Sequence, residues 1–124
     1  MRISKISDSE KDVMNVIWAA GGPVTANDVM ESLQKEKQWK ITTVLTFLAR
    51  LVEKGILSSE KKGKANLYRA GIGPEEYSKY EAKAILEKSY NGSIKSFITA
   101  LYNGGDKMTK GDLDELRKWL DAQE

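Results

Sequence analysis

The apolar residues of this chain recur at the period of an α-helix in six stretches, and the third stretch is the most regular. It covers about residues 40–54 and is ended by Gly55. One face of this predicted helix carries Ile41, Val44, Leu45, Leu48, Leu51 and Val52. The opposite face carries Thr43, Thr46, Arg50 and Lys54. The pattern predicts a helix that packs on one side and offers hydroxyls and cations on the other.

Two helices precede this one, and each begins with a capping box. Ser7 with Glu10, and Thr25 with Asp28, have the spacing at which a hydroxyl and a carboxylate satisfy the first amides of a helix. The segment Gly21-Gly22-Pro23 separates the two helices because it cannot continue either of them. Three helices are therefore predicted in succession.

After the third helix, the pattern changes to two short runs typical of β-strands, residues 56–61 and 65–70. Lys62-Gly63-Lys64 lies between them as a turn. Three helices followed by a hairpin with lysines at its tip have the order of a winged helix-turn-helix. We therefore predict a mainly α fold with a small β-hairpin, in which residues 1–72 form a DNA-binding domain.

This order gives the polar residues predicted roles at double-stranded DNA. Thr43, Thr46 and Arg50 are expected at base edges, since threonine offers a hydroxyl and a methyl group and arginine can bridge guanine acceptors. Thr42 is expected near a phosphate, as is Thr25 with the first amides of the second helix. The remaining predicted DNA contacts are lysines, at the end of the recognition helix and on the wing: Lys54, Lys61, Lys62 and Lys64.

Residues 73–124 predict three further helices whose apolar residues lie on more than one side. Three short helices of this kind make too small a core to be stable alone. We therefore predict a dimerisation domain that buries its apolar residues against a second copy, in a two-fold homodimer. The residues expected at this interface are Tyr77, Tyr80, Ala84, Leu86, Tyr90, Phe97, Leu101, Leu116, Trp119 and Leu120.

The composition excludes most kinds of catalytic site. The 124 residues contain no Cys and no His, which removes disulfides, imidazole catalysis and the usual zinc sites. No pair of carboxylates lies in a context that would perturb its pKa, so we expect no enzyme, no metal and no cofactor. No apolar run reaches the roughly 20 residues that span a bilayer, and residues 1–5 begin no secretory signal. A cytoplasmic protein is therefore expected.

Charge is distributed unevenly between the two predicted domains. Residues 1–72 carry 12 Lys and Arg against 8 Asp and Glu, whereas residues 73–124 carry 8 against 10. A basic half joined to a mildly acidic half suits polyanion binding by the first and self-association by the second.

The chain resembles the penicillinase repressor family, the winged-helix repressors of β-lactamase and methicillin-resistance operons and their copper-responsive relatives. The most specific part of the resemblance is Trp39, Thr42-Thr43-Val44, Thr46, Leu48 and Arg50-Leu51. Further matching stretches lie along nearly the whole chain: Ile6–Glu10, Val13-Met14, Ile17-Trp18, Lys54-Gly55, Tyr68, Tyr90–Ser93 and Leu113–Leu116.

The resemblance implies a homodimeric repressor that binds a palindromic operator, with an inactivating protease or signalling partner as a candidate further partner. Several family members are cleaved at an Asn-Phe bond in the C-terminal arm, and the corresponding position here holds Ala100-Leu101. The copper-responsive branch uses a Cys-x-Cys site, which a chain without cysteine lacks. The inducing signal and the regulated genes stay open.

Two other interpretations of the residues stay open beside DNA binding. The winged helix can serve as a protein-interaction module, and Phe47 on the flank of the third helix favours this alternative. A small molecule can also bind in a pocket between the predicted hairpin (the wing) and the C-terminal helices of residues 73–124 (the arm), lined by Tyr68, Tyr77 or Tyr80. Aromatic residues at helical spacing are more often core or dimer interface.

Overall fold

The computed structural model of the chain describes residues 6–104 and 108–123. Residues 1–5, where a secretory signal was not expected, lie outside this range. The described residues form six helices and two strands. In chain order these are α1 (Asp8–Ala20), α2 (Ala26–Lys37), α3 (Ile41–Glu53), β1 (Leu57–Lys62), β2 (Ala65–Ala70), α4 (Pro74–Tyr90), α5 (Ile94–Gly104) and α6 (Lys110–Ala122). In this part of the chain, no helix is long and apolar enough to cross a membrane.

The predicted capping boxes are present, and they fix where the first two helices begin. At α2 the Thr25 hydroxyl accepts from the Asp28 amide at 3.2 Å, while the Asp28 carboxylate accepts from the Thr25 amide at 2.9 Å. The same reciprocal pair joins Ser7 and Glu10 at the start of α1. Each box satisfies amides that a helix leaves without intrahelical partners.

The two strands form an antiparallel hairpin, in which Leu57 is opposite Ala70 and Lys62 is opposite Ala65. Lys62 was predicted in the turn, but it belongs to the ladder, so the turn consists of Gly63 and Lys64 alone. Gly63 has φ 65°, a conformation that two-residue hairpins assign to glycine. The tighter turn holds all of the wing lysines on or beside the paired strands.

A third extended segment, which the sequence did not indicate, joins this hairpin just before α2. Val24 and Tyr68 exchange two backbone hydrogen bonds, of 2.8 and 3.1 Å. The bridge joins the segment just before α2 to β2, the second strand of the hairpin. The start of α2 and the hairpin are thereby held to one another through the backbone.

The main hydrophobic core lies where α1, α2 and α3 pack together against the hairpin. Val13, Val29, Val44, Leu48 and Leu51 are completely buried there. Burial of apolar side chains at about 25 cal/mol per Å² is the main stabilising contribution. The structure is that of a winged helix-turn-helix, as the sequence predicts.

The chain divides into two compact units after Glu81, whereas the sequence placed the boundary after residue 72. The first turns of α4 belong to the winged helix because Tyr77 is only 1% exposed and packs on Trp18, with ring centroids 6.0 Å apart. The Tyr77 hydroxyl accepts from the Ile6 amide at 3.4 Å, and burial raises the pKa of this hydroxyl. Tyr77 was predicted at the dimer interface, but as a core residue it has no surface left for a second chain.

The second unit buries its apolar residues poorly. Within residues 82–104 and 108–123, no side chain is fully buried. The Tyr90 and Phe97 rings lie 5.2 Å apart across the α4–α5 turn, where Asn91 and Gly92 take positive φ. Large apolar side chains left exposed in this unit are Ile85, Ile94, Leu101, Tyr102, Trp119 and Leu120.

Candidate nucleic-acid interface

The exposed face of α3 is rotated relative to the face that the sequence predicted. Val44, Leu48 and Leu51 point into the core with no exposed surface. At 3.6 residues per turn, the side opposite them runs through Thr42, Thr46 and Ala49. The exposed residues of the helix are Thr42, Leu45, Thr46, Ala49, Arg50 and Glu53. Thr43 is only half-buried to one side, because it lies about 100° from Val44 and not opposite the core.

Leu45 was predicted in the buried face, and this prediction is wrong. Its side chain is 42% exposed, because the helix presents Val44 and Leu48 to the core and leaves Leu45 at the outer edge. The sequence pattern could not decide this, since Ile41, Leu45 and Val52 extend the apolar face beyond the width that the core covers. Glu53 also lies on the outward side, so that side is less uniformly cationic than predicted.

Thr46 and Thr42 are joined to one another. The Thr46 hydroxyl donates to the Thr42 carbonyl oxygen at 2.9 Å. A hydroxyl has one proton, so Thr46 in this conformation offers outward an acceptor oxygen and a methyl group. Thr42 keeps its own hydroxyl proton for an external acceptor.

Arg50 stands at the edge of the exposed face, over an aromatic pair. Its guanidinium carbon lies 6.0 Å from the centroid of the Phe47 ring, and that ring lies 5.0 Å from the ring of Trp39. A guanidinium over an aromatic face is favoured electrostatically. Phe47, whose role the sequence left open, therefore links Trp39 to Arg50 and limits where the guanidinium can point.

Lys54 was predicted to contact DNA at the end of α3, but its ammonium group is paired within the protein. Its ammonium nitrogen lies 2.7 Å from Oε1 of Glu10, whose side chain is 2% exposed. Glu10 also caps α1, since the Ser7 amide donates to the same oxygen at 2.7 Å. Burial alone would raise the pKa of Glu10, but the hydrogen bonds from Lys54 and Ser7, with the Lys54 charge, hold that pKa below its ordinary value. Lys54 thus ties the end of α3 to the beginning of α1.

The N-terminus of α3 differs from those of α1 and α2. Lys40 precedes it and makes no side-chain cap hydrogen bond, and the first turn of α3 holds no acidic residue. The first intrahelical amides are those of Thr43 and Val44, which donate to the Lys40 carbonyl. The amides of Ile41 and Thr42 and the positive end of the helix dipole therefore remain available to an anion.

At the start of α2, Thr25 lies half-buried where a phosphate contact was predicted. The Thr25 hydroxyl oxygen accepts from the Asp28 amide, which leaves its proton free to donate. The exposed Asp28 carboxylate stands beside it and opposes an anion. The Thr25 hydroxyl can therefore donate to a phosphate, although the Asp28 carboxylate, 2.9 Å from the Thr25 amide, repels one.

An open groove of about 270 Å³ separates α3 from the wing. Its walls come from the start of α2, from α3 and from the wing, and they combine apolar, amide and cationic groups. The residues that line it include Thr25, Asn27, Ile41, Leu45, Lys64 and Asn66. Lys61 and Lys62 are exposed on β1 nearby in sequence, as predicted for the wing. Asn27, Asn66 and Lys40 were not predicted at this surface, and only their sequence proximity to Thr25, Lys64 and Thr42 could have indicated them.

The tyrosines that suggested a small-molecule pocket have other positions. Tyr77 is buried and lies 5.9 Å from Tyr80, ring to ring, in the first unit. Tyr68 is 6% exposed and contributes to the floor of the groove beside the wing. The three rings therefore serve the packing of the winged helix.

The residues predicted for dimerisation differ in exposure. Tyr80 packs against the winged-helix core. Leu101, Trp119 and Leu120 are 46%, 59% and 54% exposed in the single chain. The remaining members are half-buried: Ala84, Leu86, Tyr90, Phe97 and Leu116.

The chain matches a family and several known proteins over nearly its full length. A family model described as Penicillinase repressor matches residues 6–122. The chain is 31% identical to the penicillinase repressor of Bacillus licheniformis, over 97% of this chain and 92% of that protein. It is 28% identical to the methicillin resistance regulatory protein MecI of Staphylococcus aureus strain N315, over 96% of this chain and 95% of that protein.

Two solved structures of BlaI superpose on part of this chain. The solution structure of the DNA binding domain of the repressor BlaI is 37% identical and superposes with a TM-score of 0.54, over 60% of this chain and 90% of that chain. The monomeric form of Bacillus licheniformis BlaI in complex with the blaP half-operator is also 37% identical, with a TM-score of 0.52 and the same coverage. The Bacillus licheniformis protein and BlaI are repressors, and MecI is a regulatory protein. The chain belongs to the penicillinase repressor family.

Proposed function

We propose that this protein is a transcriptional repressor that binds an inverted-repeat operator in double-stranded DNA as a homodimer. The observation that carries the proposal is the exposed face of α3. The start of this helix has no side-chain cap, and the hairpin that follows the helix carries exposed lysines. The similarity to Bacillus licheniformis BlaI, whose monomeric form was solved in complex with a half-operator, supports DNA binding.

In this proposal α3 lies in the major groove. Thr42, Thr46 and Arg50 face base edges, and Arg50 approaches a guanine in the orientation that Phe47 favours. Thr43 lies to one side of this face and contacts the edge of the groove.

Phosphates are bound around the perimeter of the same surface. The free amides at the start of α3 and the Lys40 ammonium contact one phosphate, and the Thr25 hydroxyl contacts another. Lys61, Lys62 and Lys64 neutralise phosphates of the flanking backbone. Lys54 is excluded from this set, because its ammonium group is paired with Glu10.

Dimerisation is assigned to the second unit. Its exposed leucines, isoleucines and tryptophan are of the kind that a monomer rarely leaves in contact with water together. A two-fold axis through this unit places two copies of α3 on two half-sites of opposite orientation.

The competing function, a protein-interaction module, gains support from Leu45 and Ala49, which make the exposed face of α3 more apolar than the sequence suggested. The two functions differ in their response to salt. A DNA-binding surface loses affinity linearly in log salt concentration, with a slope set by the phosphates it neutralises.

The test is fluorescence anisotropy with labelled duplexes selected from a random pool by this protein, titrated at several salt concentrations. We expect selection of an inverted repeat, saturable binding and a steep salt slope, with much weaker binding to a duplex of scrambled sequence. Failure to enrich any sequence from the pool would contradict the proposal and favour the protein-interaction module.

A further inference from the structure

The outward side of α3 carries a strip of apolar groups, of which Leu45 and Ala49 have no role in the proposed DNA contacts. Thr42, Thr46 and Ala49 are spaced four and three residues apart on the side opposite the core. Leu45 lies beside them, three residues from Thr42 and four from Ala49, so the four side chains form one continuous strip along the helix. All four are exposed. The strip contains no charged side chain, since Arg50 lies at its edge and Glu53 lies one turn beyond Ala49.

Leu45 is the largest apolar group in this strip. A single exposed leucine on a protein surface needs no explanation. Leu45 differs because it is 42% exposed at the edge of this outward side, about 100° from Val44, and also lines the groove beside the wing. Ile41 extends the apolar wall of this groove.

The hydrogen bonding of Thr46 increases the apolar character of the strip. Its proton is donated to the Thr42 carbonyl oxygen, so Thr46 cannot donate to guanine or thymine acceptors in this conformation. Its methyl group remains available for an apolar contact. Leu45, Thr46 and Ala49 therefore offer neighbouring methyl groups and few hydrogen-bond donors.

In the major groove, the apolar group that a base pair presents is the C5-methyl of thymine. We infer that Leu45, with the methyl groups of Thr46 and Ala49, contacts a thymine methyl in each half-site and is a specificity-determining residue. The inference rests on the proposed function, and it names the base that the apolar strip selects. Lys64 and Asn66 on the opposite wall of the groove favour a nucleic acid over an apolar protein surface, because they hold a cation and an amide beside the strip.

Replacing single thymines of the selected operator by deoxyuridine tests this inference. Uracil keeps the hydrogen-bonding groups of thymine and lacks only the methyl group. At one symmetric position of each half-site, we expect the wild type to lose about fourfold in affinity per half-site, as for one buried methyl group. Deoxyuridine outside the protected region is the matched control and should change nothing.

The protein variants Leu45→Ala and Leu45→Met complete a double-mutant cycle. Leu45→Ala should lose most of the preference for the thymine operator, because only the methyl groups of Thr46 and Ala49 remain beside the base. Leu45→Met should keep most of that preference. Thermal unfolding of each variant controls for folding, and little change is expected because the side chain is exposed.

The outcomes separate this inference from the proposed function. If the wild type binds a selected operator and no thymine-to-uracil change affects it, or if Leu45→Ala retains the same preference, the thymine contact is refuted and DNA binding stands. If the wild type binds no operator, both proposals fall together.

Discussion

Glu10 is buried, with 1% of its surface exposed, although it carries a charge. One of its oxygens accepts from the Ser7 amide and pairs with Lys54, each at 2.7 Å, while its other oxygen is buried and has no partner among the described residues. A buried carboxylate is tolerated only when such partners offset the cost of removing it from water. The residue therefore couples the start of α1 to the end of the proposed recognition helix.

We expect Lys54→Met to lower the free energy of unfolding by roughly 1–3 kcal/mol, because Glu10 would lose its charged partner while remaining buried. Urea unfolding measures this effect. Lys61→Met, at an exposed wing position, is the control and should stay within about 0.5 kcal/mol of the wild type. Equal stability of the two variants would show that the ion pair contributes nothing.

Glu10 should contribute to the pH dependence of the free energy of unfolding. Its pKa is lower in the folded chain than the ordinary value of 4.5, so its contribution to stability is present above that pH and is lost as the pH falls through the folded value. Urea unfolding at pH 6 and pH 4 should show a smaller loss of stability for Glu10→Gln than for the wild type. An identical loss in both proteins would contradict the assigned environment.

At the scale of elements, the sequence predicted every helix and both strands, because caps and turns have local signatures. It did not predict which sides of α3 are exposed. Ile41, Leu45 and Val52 are all apolar, and only packing against α1 and α2 decides that Leu45 stays outside the core. The bridge between Val24 and Tyr68 was also missed, since one pair of backbone hydrogen bonds leaves no pattern in the sequence.

The wing lysines make a prediction of their own. Lys64→Ala should weaken binding to all DNA sequences alike and reduce the slope of log affinity against log salt by about one ion. Lys83→Ala, an exposed lysine in the second unit, is the matched control and should leave the slope unchanged. A Lys64→Ala slope equal to that of the wild type would remove the wing tip from the interface.

At the scale of the whole molecule, the sequence indicated two parts but placed their boundary too early. Pro74, Glu75 and Glu76 mark the beginning of α4 in sequence, and nothing local reveals that the Tyr77 ring is taken up by the core of the first unit. Long-range burial of this kind depends on the assembled fold. By contrast, the helical spacing of the apolar residues in the sequence already predicted that the second unit has more apolar side chains than its own helices can bury.

If the exposed apolar residues of the second unit form a dimer interface, Leu101→Glu should shift sedimentation from dimer to monomer, because it places a charge among apolar groups. Ser96→Glu adds the same charge at an exposed polar position of α5 and should leave the dimer intact. A dimer that persists in Leu101→Glu at micromolar concentration would remove Leu101 from the interface.

The most direct test of the whole proposal is a footprint on DNA upstream of this protein's own gene, made with the wild type and with Arg50→Ala at one salt concentration. We expect the wild type to protect an inverted repeat whose half-sites are spaced by whole helical turns. Arg50→Ala should need a higher concentration for the same protection, by a free energy of about 1–3 kcal/mol, and should discriminate less between sequences. Equal protection by both proteins, or protection without two-fold symmetry, would contradict a dimer that reads its operator through α3.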